Sequence, residues 1–348
     1  MMAAQGAEEA LSASGAPPVT EKLVHHLTSQ MSRMGDSGEE RLAMLKVVGE
    51  RAGWLIQPTD VTLGDQIGKG ATAKVYKSVW HGLDVAVKTI DPELFLKDPG
   101  GLTSFCRELE ILARQRHPFI LPFFAATLNY PEHCWVVTDV MKWTLVQWLH
   151  GTRERQWTRI IPLPPLRDRL RVSLEIALGM QHLHEQVPMI IHRDLKPSNV
   201  FLDSRGRAFV SDFGFARQLQ PQDADQTGET GTYMYMAPEV IRYEHYNEKC
   251  DVYSFGILLN ELMTGHPPYL EAYLSPVQVA RGVADGRLRP MLAKEPGPLM
   301  SELIEACWAK EPSVRPAFGQ VTTRLRQIIA DVDNADAPKP STIWTWWQ

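Results

Sequence analysis

The chain of 348 residues is 44% hydrophobic and 22% charged, an ordinary globular balance with material for more than one lobe and a buried core. Its formal net charge of −5 argues against a nucleic-acid binder, which needs a basic face to neutralise phosphates. No run of apolar residues is long enough for a membrane-spanning helix.

The start, Met1-Met2-Ala3-Ala4-Gln5-Gly6, lacks the basic and apolar regions of a secretory signal, and Met2 in place of glycine excludes simple myristoylation. The end, Trp346-Trp347-Gln348, is no prenylation box. A cytoplasmic location is therefore expected, with a nuclear pool left open. Cys106, Cys134, Cys250 and Cys307 are far apart, without the pairing of a disulfide frame or zinc site, and read as reduced thiols.

Residues 1–36 are rich in Ala, Ser, Gly, Glu and Pro and are expected to be disordered. A helix and linker are expected over 37–59. Ser37 and Glu40 have the spacing of a capping box, and Leu42, Leu45, Val48 and Ala52 recur at helical spacing. Such a helix either packs on the neighbouring lobe or docks a partner. From Trp54 to Val140 the pattern is strand-rich, with a turn at Gly82 and one helical interruption over 103–114 carrying Phe105, Leu109 and Leu112. His117-Pro118 ends that helix, because a residue before proline resists helical geometry. Residues 153–166 hold Pro162, Pro164 and Pro165 and read as a loop. Leu166, Leu170, Leu174 and Leu178 then mark an amphipathic helix, and Val252–Met263 is apolar on nearly every side, as in a helix at the centre of a domain. Three tryptophans, Trp344, Trp346 and Trp347, crowd the tail and are expected to dock back on the domain.

Several runs carry chemistry. Gly68-Lys69-Gly70-Ala71-Thr72-Ala73-Lys74-Val75 lies between two strands. Alone it reads as a β-turn, but its glycines would let backbone N–H groups approach phosphates. Val85-Ala86-Val87-Lys88 sets one cation in an apolar strand, where a lysine snorkelling from the edge is the bland reading. Glu108 and Glu110 on the next helix are partners for it, but residues two apart point about 200° away from each other, so only one can face inward. Ile191-His192-Arg193-Asp194-Leu195-Lys196-Pro197 is closed by Asn199, and Asp212-Phe213-Gly214 follows. Further on come Met236-Ala237-Pro238-Glu239, Asp251-Val252-Tyr253-Ser254-Phe255-Gly256, and Cys307-Trp308 with Pro312, Arg315-Pro316 and Phe318.

In this order and at this spacing these runs resemble the signature set of the eukaryotic protein kinases. Lys196 in the catalytic loop and Gly231-Thr232 before Met236-Ala237-Pro238-Glu239 have the serine/threonine form. The Asp251–Gly256 and Cys307-Trp308 runs are those of the tyrosine-kinase-like group. The resemblance implies an α+β, bilobal protein kinase fold. Its small, mainly β lobe would span about 60–141 and its larger helical lobe about 142–328, followed by a tail over 329–348. It implies ATP and Mg²⁺, with Mn²⁺ as an alternative ion, and protein substrates with Ser or Thr acceptors. An upstream kinase is an implied partner; nucleic acid is not.

Residue by residue, the resemblance gives Asp194 the proton of the attacking hydroxyl and Lys196 the γ-phosphate. Lys88 would hold the α- and β-phosphates, and distance to His117-Pro118 selects Glu108 as its partner. Asn199 and Asp212 would supply oxygen ligands to the metal. Ile67, Gly68, Lys69, Gly70, Ala71, Val75 and Ala86 would line the nucleotide, with Thr138 as gatekeeper and Asp139 and Met141 on the hinge. Ala73 replaces the third loop glycine, and Trp143-Thr144 replaces the usual small, glycine-containing connection. Asp251 would brace the catalytic loop, and Arg315 would pair with Glu239. Arg193 before Asp194 implies an activation segment ordered by phosphate, with Thr227 or Thr230 as the site and Thr232 as a structural contact. Two rival readings are a scaffolding pseudokinase that keeps ATP as a structural ligand and a dual-specificity enzyme.

Overall fold

The computed structural model describes residues 37–70, 73–98, 100–151, 161–214, 216–218 and 233–336. The expectations for residues 1–36, for Ala71, for Thr227, Thr230 and Thr232, and for the three tail tryptophans fall outside them. The chain divides into two compact units. The first takes the described residues up to Arg116, Leu121–Val140, and Phe213 with Gly214. The second takes His117–Ile120, Met141–Asp212 and the described residues from Ala216 onward.

The first unit opens with helix α1 (Gly38–Ala52). Leu42, Leu45 and Val48 are buried as their spacing predicts, but Ala52 is exposed because the helix stops at once, with Gly53 left-handed at φ 74°. Ser37 sits at the N-cap without a side-chain bond, so the expected capping box does not form. The first turn is held by the Arg41 N–H to the Ser37 carbonyl at 3.2 Å, and Glu39 and Glu40 complement the helix dipole there.

Strands β1 (Thr62–Lys69), β2 (Ala73–Trp80) and β3 (Leu83–Ile90) follow as an antiparallel meander. His81 and Gly82, both at positive φ, make a two-residue hairpin between β2 and β3, since the twist of paired strands favours that turn. A short helix, α2 (Pro92–Lys97), comes next, so the β-rich stretch holds two helices where one was expected. Its signal was Asp91-Pro92: the Asp91 carboxylate accepts from the Glu93 N–H at 3.0 Å, and proline suits a first helical turn. Helix α3 (Gly101–Leu112) begins and ends two residues earlier than expected, the chain turning before His117-Pro118. Strands β4 (Phe123–Asn129) and β5 (His133–Asp139) complete a five-stranded sheet of order β1-β2-β3-β5-β4. Val61, Val85, Val87, Ala125 and Val137 cluster on one face of it. Alternation along β3 therefore turns Ala86 and Lys88 to the opposite face.

The second unit is mainly helical. It begins with β6 (Trp143–Thr144) and α4 (Leu145–His150), then the long α5 (Leu166–His184). Strands β7 (Ile190–Ile191), β8 (Val200–Leu202), β9 (Ala208–Val210) and β10 (Arg217–Gln218) form two small sheets, β6-β8-β9 and β10-β7. Helices α6 (Pro238–Ile241), α7 (Lys249–Thr264), α8 (Pro276–Ala284), α9 (Pro298–Cys307) and α10 (Phe318–Asp336) follow. On α5 the leucine row is not the buried face: Leu174 and Leu178 are half-buried, while Ile176, Ala177, Met180 and Leu183 are fully covered. A row repeating every four residues drifts about 40° per step around a helix, so it leaves the contact face within two turns.

Helix α7 is buried along nearly its whole length, as its apolar sequence predicts. A Cβ added at Gly256 would lie 2.8 Å from the Cys307 Cβ. The glycine of one motif is thus the space into which the Cys307-Trp308 motif packs. All four cysteines are buried and unpaired; burial pushes the Cys106, Cys134 and Cys307 thiols up to about 12, which keeps them protonated and unreactive. Among the described residues no helix is long and apolar enough to cross a membrane.

Candidate active site

In the first unit the sheet register collects the nucleotide-site candidates on one face. Val75 lies opposite Lys88, Gly68 opposite Val75, Ala86 opposite Thr138, and Lys88 opposite Val136. Directly opposed residues of antiparallel strands point the same way, so Val75, Ala86, Lys88 and Thr138 share that face. Ile67 is half-exposed at 51%, and Lys69 and Gly70 are exposed at the β1–β2 turn, where the Gly70 N–H donates to the Ala73 carbonyl at 2.8 Å. Alanine in place of the third glycine therefore still closes the hairpin, through its backbone carbonyl.

Lys88 Nζ binds Glu108 Oε1 at 2.6 Å, and Glu108 is buried. Glu110 points elsewhere, to Arg41 at 3.0 Å and Arg114 at 3.2 Å. The choice between the two glutamates is settled by helix rotation: Phe105, Leu109 and Leu112 bury one face of α3, and Glu108 lies at its edge. Ser104 on the same helix donates to the Gly214 carbonyl at 3.2 Å, a contact with no signal in the sequence, and Phe213 is fully buried. At the end of β5 the Asp139 N–H donates to the Pro122 carbonyl at 3.2 Å, and the Asp139 carboxylate accepts from the Val140 N–H at 2.8 Å.

In the second unit Met141 is half-buried. Trp143 and Thr144, unusual at this place, have a structural use: they pair with Leu202 and Phe201 as β6, and Thr144 forms a capping box with Gln147 that starts α4.

The catalytic-loop run is built around Asp251, which is wholly buried on α7. Its carboxylate accepts from the His192 N–H at 2.8 Å and the Arg193 N–H at 2.7 Å, and meets His184 Nε2 at 2.9 Å. Burial pushes this carboxyl up, but the hydrogen bond and charge of His184, with His192, outweigh it and hold the group below the usual carboxylate range. These two backbone bonds fix Arg193 at φ 66°, a left-handed conformation uncommon for any residue that carries a Cβ. The His192 ring ties the loop to the next strand: Nε2 meets the Ser211 carbonyl at 2.9 Å, so it carries the proton, and Nδ1 accepts from the Asp194 N–H at 3.3 Å.

Asp194 Oδ2 then receives Lys196 Nζ at 2.7 Å and Asn199 Nδ2 at 2.8 Å. The same amide nitrogen reaches the Asp194 carbonyl at 2.8 Å, which turns Asn199 Oδ1 away as an acceptor. Ser211, absent from the sequence reading, clamps the two segments: its N–H and its Oγ both donate to the Asn199 carbonyl, at 3.0 and 2.9 Å. The next residue, Asp212, is also left-handed, at φ 63°. Two left-handed residues, Arg193 and Asp212, within one hydrogen-bonded frame mark a site held in place by its surroundings.

The profile described as "Protein tyrosine and serine/threonine kinase" matches residues 61–325. The chain belongs to the protein kinase family. It is 33% identical over 286 residues to serine/threonine-protein kinase STY17 of Arabidopsis thaliana, covering 82% of this chain and 48% of that protein. It is 35% identical to dual specificity protein kinase shkC of Dictyostelium discoideum, over 81% of this chain and 54% of that one. To serine/threonine/tyrosine-protein kinase HT1 of Arabidopsis thaliana it is 34% identical, over 80% of this chain and 69% of that one. Within the family it stands with the tyrosine-kinase-like group of serine/threonine kinases, and its architecture is α+β with an antiparallel β-sheet lobe and a helical lobe. The kinase spans about half the length of the first curated relatives it matches.

Beyond the loop, Glu239 of this kinase is bound by Arg315 through both guanidinium ends, at 2.5 and 2.8 Å, as the resemblance implied. Ser254 Oγ donates to the Tyr235 carbonyl at 2.8 Å, and Tyr235 OH to Glu261 at 2.5 Å, so α7 also fixes the segment before Ala237. Arg193 Nη1 donates to Tyr246 OH at 2.9 Å.

Proposed function

We propose that the chain is an ATP-dependent protein serine/threonine kinase in which Asp194 accepts the proton of the substrate hydroxyl. The hydroxyl oxygen bonds to the γ-phosphorus of ATP, the bond to the β–γ bridging oxygen breaks, and ADP leaves. The observation that carries this reading is the orientation of Asp194: its Oδ2 is tied to Lys196 and Asn199 within a loop braced by Asp251. Such fixing is what a positioning reaction with little covalent chemistry of its own requires. Lys196 would neutralise the γ-phosphate, and Lys88, held by Glu108, the α- and β-phosphates.

The donor set fits a hard divalent ion. Among the described residues no group of three or more His, Cys, Asp or Glu could hold a metal by itself. One amide oxygen, on Asn199, and one carboxylate, on Asp212, match an ion that keeps its waters and shares the nucleotide phosphates. When bound, Mg²⁺ would screen charge on the transferred phosphate, and Mn²⁺ is the alternative ion. Thr227 or Thr230 would be the activating phosphosite, placed by an upstream kinase and read by Arg193. A cytoplasmic location is part of the same reading.

Purified protein incubated with labelled ATP, Mg²⁺ and myelin basic protein, beside the Asp212→Asn variant, tests it. Transfer to Ser or Thr by the wild type alone is the expected result. Absence of transfer after an added kinase has phosphorylated the activation segment would favour the scaffold reading. The names of shkC and HT1 give a second reading, dual specificity, some support. Phosphotyrosine in the hydrolysed product would establish it.

A further inference from the structure

We infer that Arg41 is a positioning residue for the Lys88–Glu108 pair, acting through Glu110 on the rotation of α3; the inference rests on the kinase reading above.

On α3, Glu108 and Glu110 project about 200° apart. Glu108 meets Lys88 on the sheet side. Glu110 meets Arg41 Nη1 on the other side, with the two side chains only 11% and 6% exposed. Cys106, Glu110 and Arg114 recur every four residues along that second face. Cys106 Sγ donates to the Gly38 carbonyl of α1 at 3.7 Å, and Arg114 binds Glu110 at 3.2 Å. A rotation of α3 that withdrew Glu108 from Lys88 would carry Glu110 away from Arg41 by the same angle. Ion pairs on opposite faces therefore define one rotation of the helix.

This works only if α1 is itself fixed to the sheet, and it is. A Cβ at Gly49 would lie 2.7 Å from the Trp54 ring, so the missing side chain is what lets the indole pack onto the end of α1. Trp54 also meets Phe123 edge-on at 5.6 Å. The Ala126 N–H donates to the Trp54 carbonyl at 2.9 Å, and the Ile56 N–H to the Ala126 carbonyl at 3.0 Å. Ala126 lies on β4, β4 pairs with β5, and β5 pairs with β3, which bears Lys88. The path from Lys88 through three strands, Trp54, α1, Arg41, α3 and Glu108 thus closes on itself. An exposed ion pair would contribute little here; this pair is largely buried, and burial pushes the Glu110 carboxyl up against the pull of Arg114, Arg41 and Arg107. Loss of Arg41 leaves a buried acid with less to hold its charge and its place.

The test uses the full chain with Arg41→Met and Arg41→Lys, assayed well below the melting temperature of each. ATP affinity is read by displacement of a fluorescent nucleotide, and transfer as kcat/KM. Arg41→Met is expected to weaken ATP affinity and kcat/KM about tenfold, the size expected of coupled residues in one network, and Arg41→Lys to stay within about threefold of wild type. Wild-type affinity and turnover in Arg41→Met, or an equal loss in Arg41→Lys, would overturn the assignment. A wild type that binds ATP and transfers no phosphate would defeat the kinase reading alone, and the affinity measurements would still decide the role of Arg41.

Discussion

The guanidinium of Arg315 is fully enclosed and donates to both oxygens of Glu239, to the carbonyls of Ala309, Lys249 and Lys310, and lies over the Tyr253 ring at 5.1 Å. Replacing it with methionine would leave the Glu239 carboxylate buried beside an apolar side chain. That change is expected to cost about 3–5 kcal/mol of stability, read from the shift in a urea unfolding midpoint. Arg315→Lys should recover little, because a point cation cannot match the planar fork of five donors. A midpoint within error of wild type for either variant would contradict this account. The Lys88–Glu108 pair differs, because the Lys88 side chain is 31% exposed and water can solvate its ammonium: Glu108→Gln is expected to lower kcat/KM with little change in stability.

At the scale of elements, α5 carries a pH dependence. His117 and His182 stack with ring centroids 4.5 Å apart and planes 12° from parallel. Burial lowers the His117 pKa from 6.5, with the charge of His182 adding to it. Burial lowers His182 as well, against a small pull upward from Glu185. A histidine depressed in the folded state takes its proton more readily when unfolded, so stability is full above 6.5 and falls as the pH drops below it. The unfolding midpoint should therefore fall between about pH 7 and about pH 5, less steeply in His182→Gln. Parallel curves for the two proteins would rule the stacked pair out as the cause. A second element-scale expectation concerns α4: Thr144→Ala removes the N-cap and should cost about 1 kcal/mol, measured as a lowered melting temperature.

For the whole molecule, nucleotide and metal should act together on stability. At a concentration of Mg·ATP about 100-fold above its Kd, the apparent stability is expected to rise by about 2.7 kcal/mol. Chelation of the metal, or Asp212→Asn, should remove most of that rise, and a melting curve indifferent to both would count against the assignment of Asn199 and Asp212.

The sequence by itself determined what local spacing can carry. Asp194, Lys196 and Asn199 lie within six positions, so one loop must bring them together, and the structure joins them through Asp194 Oδ2. The β2–β3 hairpin, the apolar course of α7 and the pairing of Arg315 with Glu239 were legible for related reasons: a turn signal, an all-round apolar run, and a set of motifs specific enough to name the kinase family. Tertiary structure alone decided the rest. Glu108 and Glu110 have the same chemistry, and only the packing of α3 on the sheet turns one to Lys88 and the other to Arg41. The buried face of α5 departs from its leucine row because α10, α7 and β9 all pack on it. Ser211 and His184 carried no sequence signal because single polar side chains become part of a site only when distant segments deliver their partners. Helix α1 gave no sign of acting on α3, since the bond from its Arg41 to Glu110, and those that tie the following Trp54 and Ile56 to Ala126, span separations that no local pattern records.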